Sequence, residues 1–376
     1  MRPARTTGGR PSPTAIPSAG ASPPTGVPGR VPLWSTALPT PPEPSERILR
    51  VVRPIWAQMH TNPRMAGATV AAGLRADRSL GAKERPVAGD LLLGLVRHAR
   101  ALARIDTDPL SAWLTLAREG PPPLEDPENA YAIACSVPDW IADEWWDRLG
   151  PPAAIEHARV IAGRAPVTLR VLRDPVDIPV AHHREGRAIT LEGRTNLDLL
   201  PAYREGRVEV QDLHSQEVVD FAFPGVGARV LDLCAGAGGK SLSLAALGAR
   251  VQAWDVRPQA LRELDKRARR AGLDIRIAPP AGRYDLILVD APCSGTGVLR
   301  RHPENRWNLH FPVETQSSLL ARALEWAPTV VYATCSLMSR ENELLVRTVA
   351  EPILERTWWP SAGGGEGFFV AKLLGK

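Results

Sequence analysis

The chain has 376 residues, 44% of them hydrophobic, and a formal net charge of +5. That length allows two or three domains, each with its own core, and no run stays apolar long enough to span a bilayer. The basic balance admits a polyanionic partner, but only five of the 46 basic residues are lysine, and an arginine-rich composition also follows from coding bias.

Residues 1–45 open the chain as a proline-rich tail, with 12 prolines in the first 44 positions. Such a segment buries too little apolar surface to offset its ordering entropy, so it is expected to be disordered. It lacks the apolar stretch of a secretory signal after Arg2 and Arg5, and a cytoplasmic protein is expected. Helical periodicity then runs from about 46 to 160, through Arg47 to Val52, Leu91 to Arg97 and Ala112 to Leu116, with prolines 54, 109 and 121 to 123 as breakers. The organisation read from this is a helical domain at 46–135 and a small α+β linker element at 136–220, with strand-like runs at 167–171 and 208–210.

From 221 onward, strands are expected near 229–234, 250–255, 273–277, 284–290 and 329–334. Helices are expected near 239–247, 258–271, 314–326 and 340–350. This alternation predicts an α/β, Rossmann-like domain over 221–376 with a mostly parallel, doubly wound sheet. Ligands of such sheets sit beyond the carboxyl ends of the strands, where Asp232, Asp255, Asp290 and Cys335 fall. No internal repeat is present, and nothing calls for more than a monomer.

The first strand of this region runs into Asp232-Leu233-Cys234-Ala235-Gly236-Ala237-Gly238-Gly239-Lys240-Ser241. Glycines at a strand-to-helix turn let backbone approach a ligand, and the helix amino terminus favours negative groups. By itself the pattern fits many α/β proteins. Asp255, ending the next strand, is placed either to accept hydrogen bonds from ribose hydroxyls or to cap the helix that starts near Pro258. Two cysteines stand just past apolar strands, Cys293 in Asp290-Ala291-Pro292-Cys293-Ser294-Gly295-Thr296-Gly297 and Cys335 in Tyr332-Ala333-Thr334-Cys335-Ser336. The four cysteines (135, 234, 293, 335) form no C-x-x-C pair, which argues against structural zinc and for reduced thiols, so no metal is expected. A nucleotide-type turn with two thiols beside it points to group transfer through a thiolate. For Cys135 a buried packing role is expected, and for Cys234 packing of the side chain with its backbone turned to the ligand.

These segments resemble the Sun/Fmu family of RNA cytosine-5 methyltransferases, in particular its bacterial RsmB type. Residues 232–241 are similar to the family's D-L-C-A-A-P-G-G-K-T loop, with Gly236 and Ala237 in place of Ala and Pro, and residues 290–297 match D-A-P-C-S-G-T-G unchanged. His302 to Trp307, residues 332–336 and Glu341-Asn342-Glu343 resemble its P-D-x-R-W, Y-S-T-C-S and E-N-E segments. Upstream, Gln211 to Gln216, Pro138-Asp139-Trp140 and Leu169-Arg170-Val171 are similar to further family signals, though Leu172 replaces an asparagine. Arg85 and Gly94 to Arg97 are distantly similar to a NusB-like RNA-binding domain.

The resemblance implies S-adenosylmethionine against Cys234, Ala235, Gly236, Ala237, Gly238, Gly239, Lys240 and Asp290, with its ribose on Asp255, and RNA, ribosomal above all, as partner. It also implies Cys335 as nucleophile and Cys293 as the thiol that assists release. Cytosine C5 is a poor nucleophile until a thiolate adds to C6, and a thiol of pKa about 8.5 must first be favoured as thiolate. Asp290 suits the N3/N4 edge of the base, and Lys240 the base or the cofactor. Chemistry alone does not choose between the two thiols, since DNA cytosine methyltransferases use the loop equivalent to that of Cys293. Arg300, Arg301 and Arg306 with Trp307 are candidates for phosphate and base contacts, against a plain packing role. One departure stands out: the family's acidic residue after the third strand is missing from Ile277-Ala278-Pro279-Pro280-Ala281-Gly282. Adenine recognition is then left to backbone groups, or affinity is reduced. Transfer to tRNA, or an RNA-binding assembly factor without turnover, remain open alternatives.

Overall fold

The computed structural model describes residues 38–61, 65–122, 129–193, 195–306 and 309–375; most of the proline-rich segment, and Trp307, lie outside the described residues. The amino-terminal region is helical as expected: α1 (Glu46–Thr61), α2 (Ala66–Ala76), α3 (Glu84–Arg97), α4 (Ala99–Leu102), α5 (Pro109–Glu119), α6 (Ala130–Cys135), α7 (Asp139–Leu149) and α8 (Pro151–Ala162). Local chemistry sets several ends. Asp108 caps α5 by accepting from Ser111 N at 2.8 Å, with Pro109 filling the first turn, where no backbone donor is needed. Leu38, inside the segment expected to be disordered, is buried in the helical core.

The linker is a four-stranded antiparallel sheet in the order β2-β3-β1-β4, formed by β1 (Val167–Val171), β2 (His182–Glu185), β3 (Ala188–Leu191) and β4 (Val208–Val210). Two helices, α9 (Pro201–Arg204) and α10 (Leu213–Ala222), flank β4 in the chain.

The carboxy-terminal region is a seven-stranded sheet in the order β10-β11-β9-β8-β5-β6-β7. Its parallel strands are β5 (Arg229–Asp232), β6 (Arg250–Ala253), β7 (Ile275–Ile277), β8 (Leu286–Asp290) and β9 (Thr329–Thr334). The crossover helices include α11 (Gly239–Ala246), α12 (Pro258–Ala271) and α13 (Val313–Trp326), while α14 (Glu343–Val349) leads to the last two strands. Leu286 to Val289 are buried, as a strand covered by helices on both faces requires. Beyond the expected elements, β10 (Leu354–Trp358) and β11 (Phe368–Leu374) extend the sheet with antiparallel pairing to each other and to β9. The single helix expected over 340–350 is a short turn at Ser339–Glu341 followed by α14.

Arginines join these parts. Arg306 is buried and donates to the carbonyls of Cys135, Ile161 and Leu299 at 2.9, 3.2 and 2.9 Å. Leu299, Leu337 and Met338 of the sheet domain share the apolar core of the helices. Removing one large apolar side chain from such a core costs about 2–5 kcal/mol. The loops after β8 and β9 are therefore seated on the helical region and cannot drift from it cheaply.

Candidate active site

The glycine loop after β5 is shaped by two residues in the left-handed region, Gly236 at φ 54° and Gly238 at φ 87°. A Cβ on Gly238 would lie 2.6 Å from Leu264 Cγ, so the loop packs tightly against α12 there. At Gly239 a Cβ would meet nothing within 4 Å, and at Gly236 only the Arg257 guanidinium at 3.5 Å. Bare backbone thus faces a cleft of about 940 Å³ at the carboxyl ends of the strands. The loop is held from outside: Arg267 donates to Ala237 O at 2.7 Å and is itself paired at 2.9 Å with Glu209, a buried carboxylate of β4. The linker sheet therefore braces the loop.

Three aspartates stand at or just past the strand ends, Asp232 and Asp290 closing β5 and β8 and Asp255 two residues beyond β6, with different fates. Asp255 lines the cleft and accepts from Gly236 N at 2.8 Å and from the N, Nε and Nη2 of Arg257 at 2.9 Å each. Burial works against its charge, yet these donors outweigh it and hold the carboxyl below its ordinary range. The cap of α12 itself falls on Arg257, without a side-chain bond. Asp290 also lines the cleft, one oxygen paired to Lys240 Nζ at 2.6 Å. Burial opposes the Lys240 ammonium, but Asp290, helped by Asp232 and the Cys335 sulfur, keeps its pKa above the usual lysine value. Asp232 is the exception. It is 1% exposed, lies beneath the loop, and accepts from Ser241 Oγ at 2.6 Å. Burial, with the charges of Asp290 and Asp255, pushes its pKa up to about 7. It does not face the cleft.

Cys293 and Cys335 meet at the cleft wall, with their sulfurs 3.3 Å apart. The hydrogen bond to Cys335 and then burial raise the Cys293 thiol well above its ordinary value. The loops carrying these thiols are locked together by buried polar side chains. Glu341 accepts from Ser294 N at 2.9 Å, Ser294 Oγ at 2.5 Å and Gln316 Nε2 at 3.0 Å. Asn342 accepts from Thr334 Oγ1 at 2.6 Å and donates to Ser336 O at 2.9 Å. Sequence matching pointed to Glu341 and Asn342 without a role, and gave no sign of Gln316.

Other expectations divide. Cys135 is fully buried with its thiol pushed up to about 12 by desolvation, and Cys234 lines the cleft beside Ala235 and Ala237. The arginines expected to meet phosphate are internal braces instead. Arg300 is buried and donates to Ser361 O and Gly365 O at 3.0 and 2.7 Å. Arg301 binds Pro166 O and Asp212 at 2.8 and 3.0 Å, and Arg306 is spent on the three carbonyls named above. Of the helical signals, Arg85 donates to Leu80 O at 3.1 Å, and buried Arg97 to Arg300 O at 3.2 Å. Beyond β7, the missing acid is not replaced by backbone donors: Ala278 N is taken by Ala253 O, Pro279 and Pro280 have no N–H, and Ala281 N donates to Tyr284 Oη at 2.8 Å. Apolar groups, Val256, Trp254 and Pro280, line the cleft around Asp255. Among the described residues no cluster of His, Cys, Asp or Glu could hold a metal ion, and no helix is long and apolar enough to cross a membrane.

A glycine cradle, strand-end carboxylates and a doubly wound sheet define a Rossmann-like methyltransferase domain. The same overall fold is found in the crystal structure of PH0851, with a TM-score of 0.70 at 20% identity over 90% of this chain and 99% of that one. A methyltransferase homolog protein from Pyrococcus horikoshii gives a TM-score of 0.54 at 22% identity over 66% of this chain and 99% of that one. Residues 223–352 match the model of the 16S rRNA methyltransferase RsmB/F family. Ribosomal RNA small subunit methyltransferase B of Citrobacter koseri is 35% identical over 243 residues, 55% of this chain and 56% of that protein. Its Escherichia coli counterpart is 35% identical over 222 residues, 50% and 52% of the two chains. The chain thus spans about half the length of these curated relatives.

Proposed function

We propose that the protein is a cytoplasmic, S-adenosylmethionine-dependent RNA (cytosine-5) methyltransferase that acts on ribosomal RNA through a covalent Cys335–C6 adduct. The observation that carries this reading is the pair of facing sulfurs 3.3 Å apart, with the Lys240–Asp290 pair beside them in one cleft. S-adenosylmethionine, when bound, supplies the electrophilic methyl group. The cleft fits it: backbone of residues 234–240 is bare at Gly236 and Gly239, and Asp255 suits the ribose. The Arg257 side chain that now occupies the Asp255 carboxylate is 66% exposed, so its guanidinium is readily exchanged for hydroxyl donors.

Cys335 is assigned as the nucleophile because its hydrogen bond and then burial hold the neighbouring Cys293 thiol well above its ordinary value; the Cys335 proton passes to water as the sulfur adds. Its lone pair forms the S–C6 bond, and the electron pair of the C5=C6 bond moves into the ring, making C5 the nucleophile. No side chain among the described residues binds the second oxygen of Asp290, which is left to accept the cytosine N4 hydrogen. Lys240 offsets charge that reaches N3. On release the S–C6 bond breaks, the C5 proton passes to water, and Cys293 hydrogen-bonds the departing sulfur. We read the helical region as a NusB-like RNA-binding element whose contacts are not Arg85 or Arg97. Incubation with labelled S-adenosylmethionine and total RNA, followed by bisulfite mapping, is expected to give 5-methylcytosine in small-subunit ribosomal RNA. Cofactor binding without transfer to any RNA would refute the enzymatic reading.

A further inference from the structure

Trp140 stands out on α7. Its neighbour Trp145 is fully buried, whereas Trp140 is 42% exposed, and the other strongly exposed large apolar side chains among the described residues are aliphatic. It is not alone at the surface. Phe311 meets it edge-on, with centroids 5.8 Å apart and planes at 62°, and the Arg340 guanidinium lies over both rings, 5.0 Å from Trp140 and 5.2 Å from Phe311. Arg340 pairs with no carboxylate among the described residues, unlike Arg148, which is bound to Glu343 at 2.7 Å. A guanidinium held on aromatic faces keeps its N–H edge for an anion.

The cluster is also tied through the chain to the elements that hold the thiols. Arg340 directly precedes Glu341, whose carboxylate holds the Cys293 loop through Ser294. Phe311 leads into α13, whose Thr315 and Leu319 line the cleft. Its base is fixed across both regions of the molecule, by Ser339 N donating to Glu144 at 2.7 Å and Arg148 donating to Leu337 O at 2.6 Å. An indole left 42% exposed on a rigid base, with a carboxylate-free guanidinium on its face, suits a ligand with a π face and a negative charge. A nucleotide has both.

We propose that Trp140, Phe311 and Arg340 form a stacking platform for a nucleotide flanking the target cytosine in single-stranded RNA, Trp140 taking the base and Arg340 the phosphate. This rests on the RNA-methyltransferase reading above. The test is filter binding of a small-subunit ribosomal RNA transcript to the full chain and to Trp140→Ala, Trp140→Phe and Arg340→Ala, alongside calorimetric binding of S-adenosylhomocysteine. Trp140→Ala should weaken RNA binding roughly 5- to 100-fold, and Trp140→Phe should restore it to within about three-fold. Arg340→Ala should lower the salt slope by about one phosphate contact, and cofactor binding should not move in any variant. Equal RNA affinity for the wild type, Trp140→Ala and Arg340→Ala overturns the platform and leaves the methyltransferase reading standing. A wild-type protein without affinity for the transcript overturns both.

Discussion

The two sides of the cleft are built on opposite plans. Around Cys293 and Cys335, polar side chains are buried and partnered: Lys240 with Asp290, Glu341 with Ser294 and Gln316, Asn342 with Thr334. Beyond β6 and β7 the wall around Asp255 and Arg257 is Val256, Trp254 and Pro280, and the backbone of 278–281 has no N–H to spare. Bond making needs groups held to fractions of an ångström, whereas holding a flat heterocycle needs mainly surface. Changes on the thiol side should therefore alter turnover by orders of magnitude, and changes on the far side should adjust affinity.

Glu341→Ala breaks the thiol side most broadly, since it strands Ser294 and Gln316 in a buried site. Loss of about 2–4 kcal/mol of stability is expected, with kcat falling roughly 100-fold in the protein that still folds. A chemical-denaturation curve beside single-turnover kinetics separates the two effects. The sulfur pair itself is probed by alkylation. Because the Cys335 hydrogen bond is the first cause of the raised Cys293 pKa, Cys335→Ala should lower that pKa and raise the thiolate fraction. Iodoacetamide should then modify Cys293 several-fold faster at pH 8 than in the wild type. On the far side, a site that makes no hydrogen bond to the exocyclic amine cannot select strongly for it. S-inosylhomocysteine should bind within about ten-fold of S-adenosylhomocysteine by calorimetry, and a ratio of thousands would show a hidden polar reader.

A pH-dependent effect belongs to Asp232, buried below both sides. Its folded pKa of about 7 lies above the ordinary value of 3.8, so folding favours its neutral form. Its contribution to stability is full below about pH 4 and is lost as pH rises through about 7. Asp232→Asn should remove this dependence, and the difference in urea midpoint between variant and wild type should widen from pH 5 to pH 8 in favour of the variant.

Much of the sheet domain was legible in the sequence because buried parallel strands read as apolar runs such as Leu286 to Val289, each followed by a motif residue at its end. The antiparallel β10 and β11 were not, since Leu354 to Trp358 lies on an edge with a mixed burial pattern and carries no motif. Cys335, Cys293, Asp290 and the loop at 234–240 could be proposed from the sequence because their motifs are confined to short segments, and the fold brings them to one cleft. Gln316 escaped because its partners Pro292 and Glu341 are remote in the chain. Arg300, Arg301 and Arg306 misled for a related reason: a basic run looks like a phosphate site until the carbonyls it satisfies are brought next to it by the fold.

Which sulfur attacks the base is reported directly by RNA carrying 5-fluorocytosine, because the adduct cannot lose fluorine and stays on the protein. With S-adenosylmethionine present, a denaturation-resistant adduct is predicted for the wild type and for Cys293→Ala and none for Cys335→Ala, along with a fall in turnover of roughly 10⁴-fold or more for the latter. An adduct retained by Cys335→Ala and lost by Cys293→Ala would contradict it.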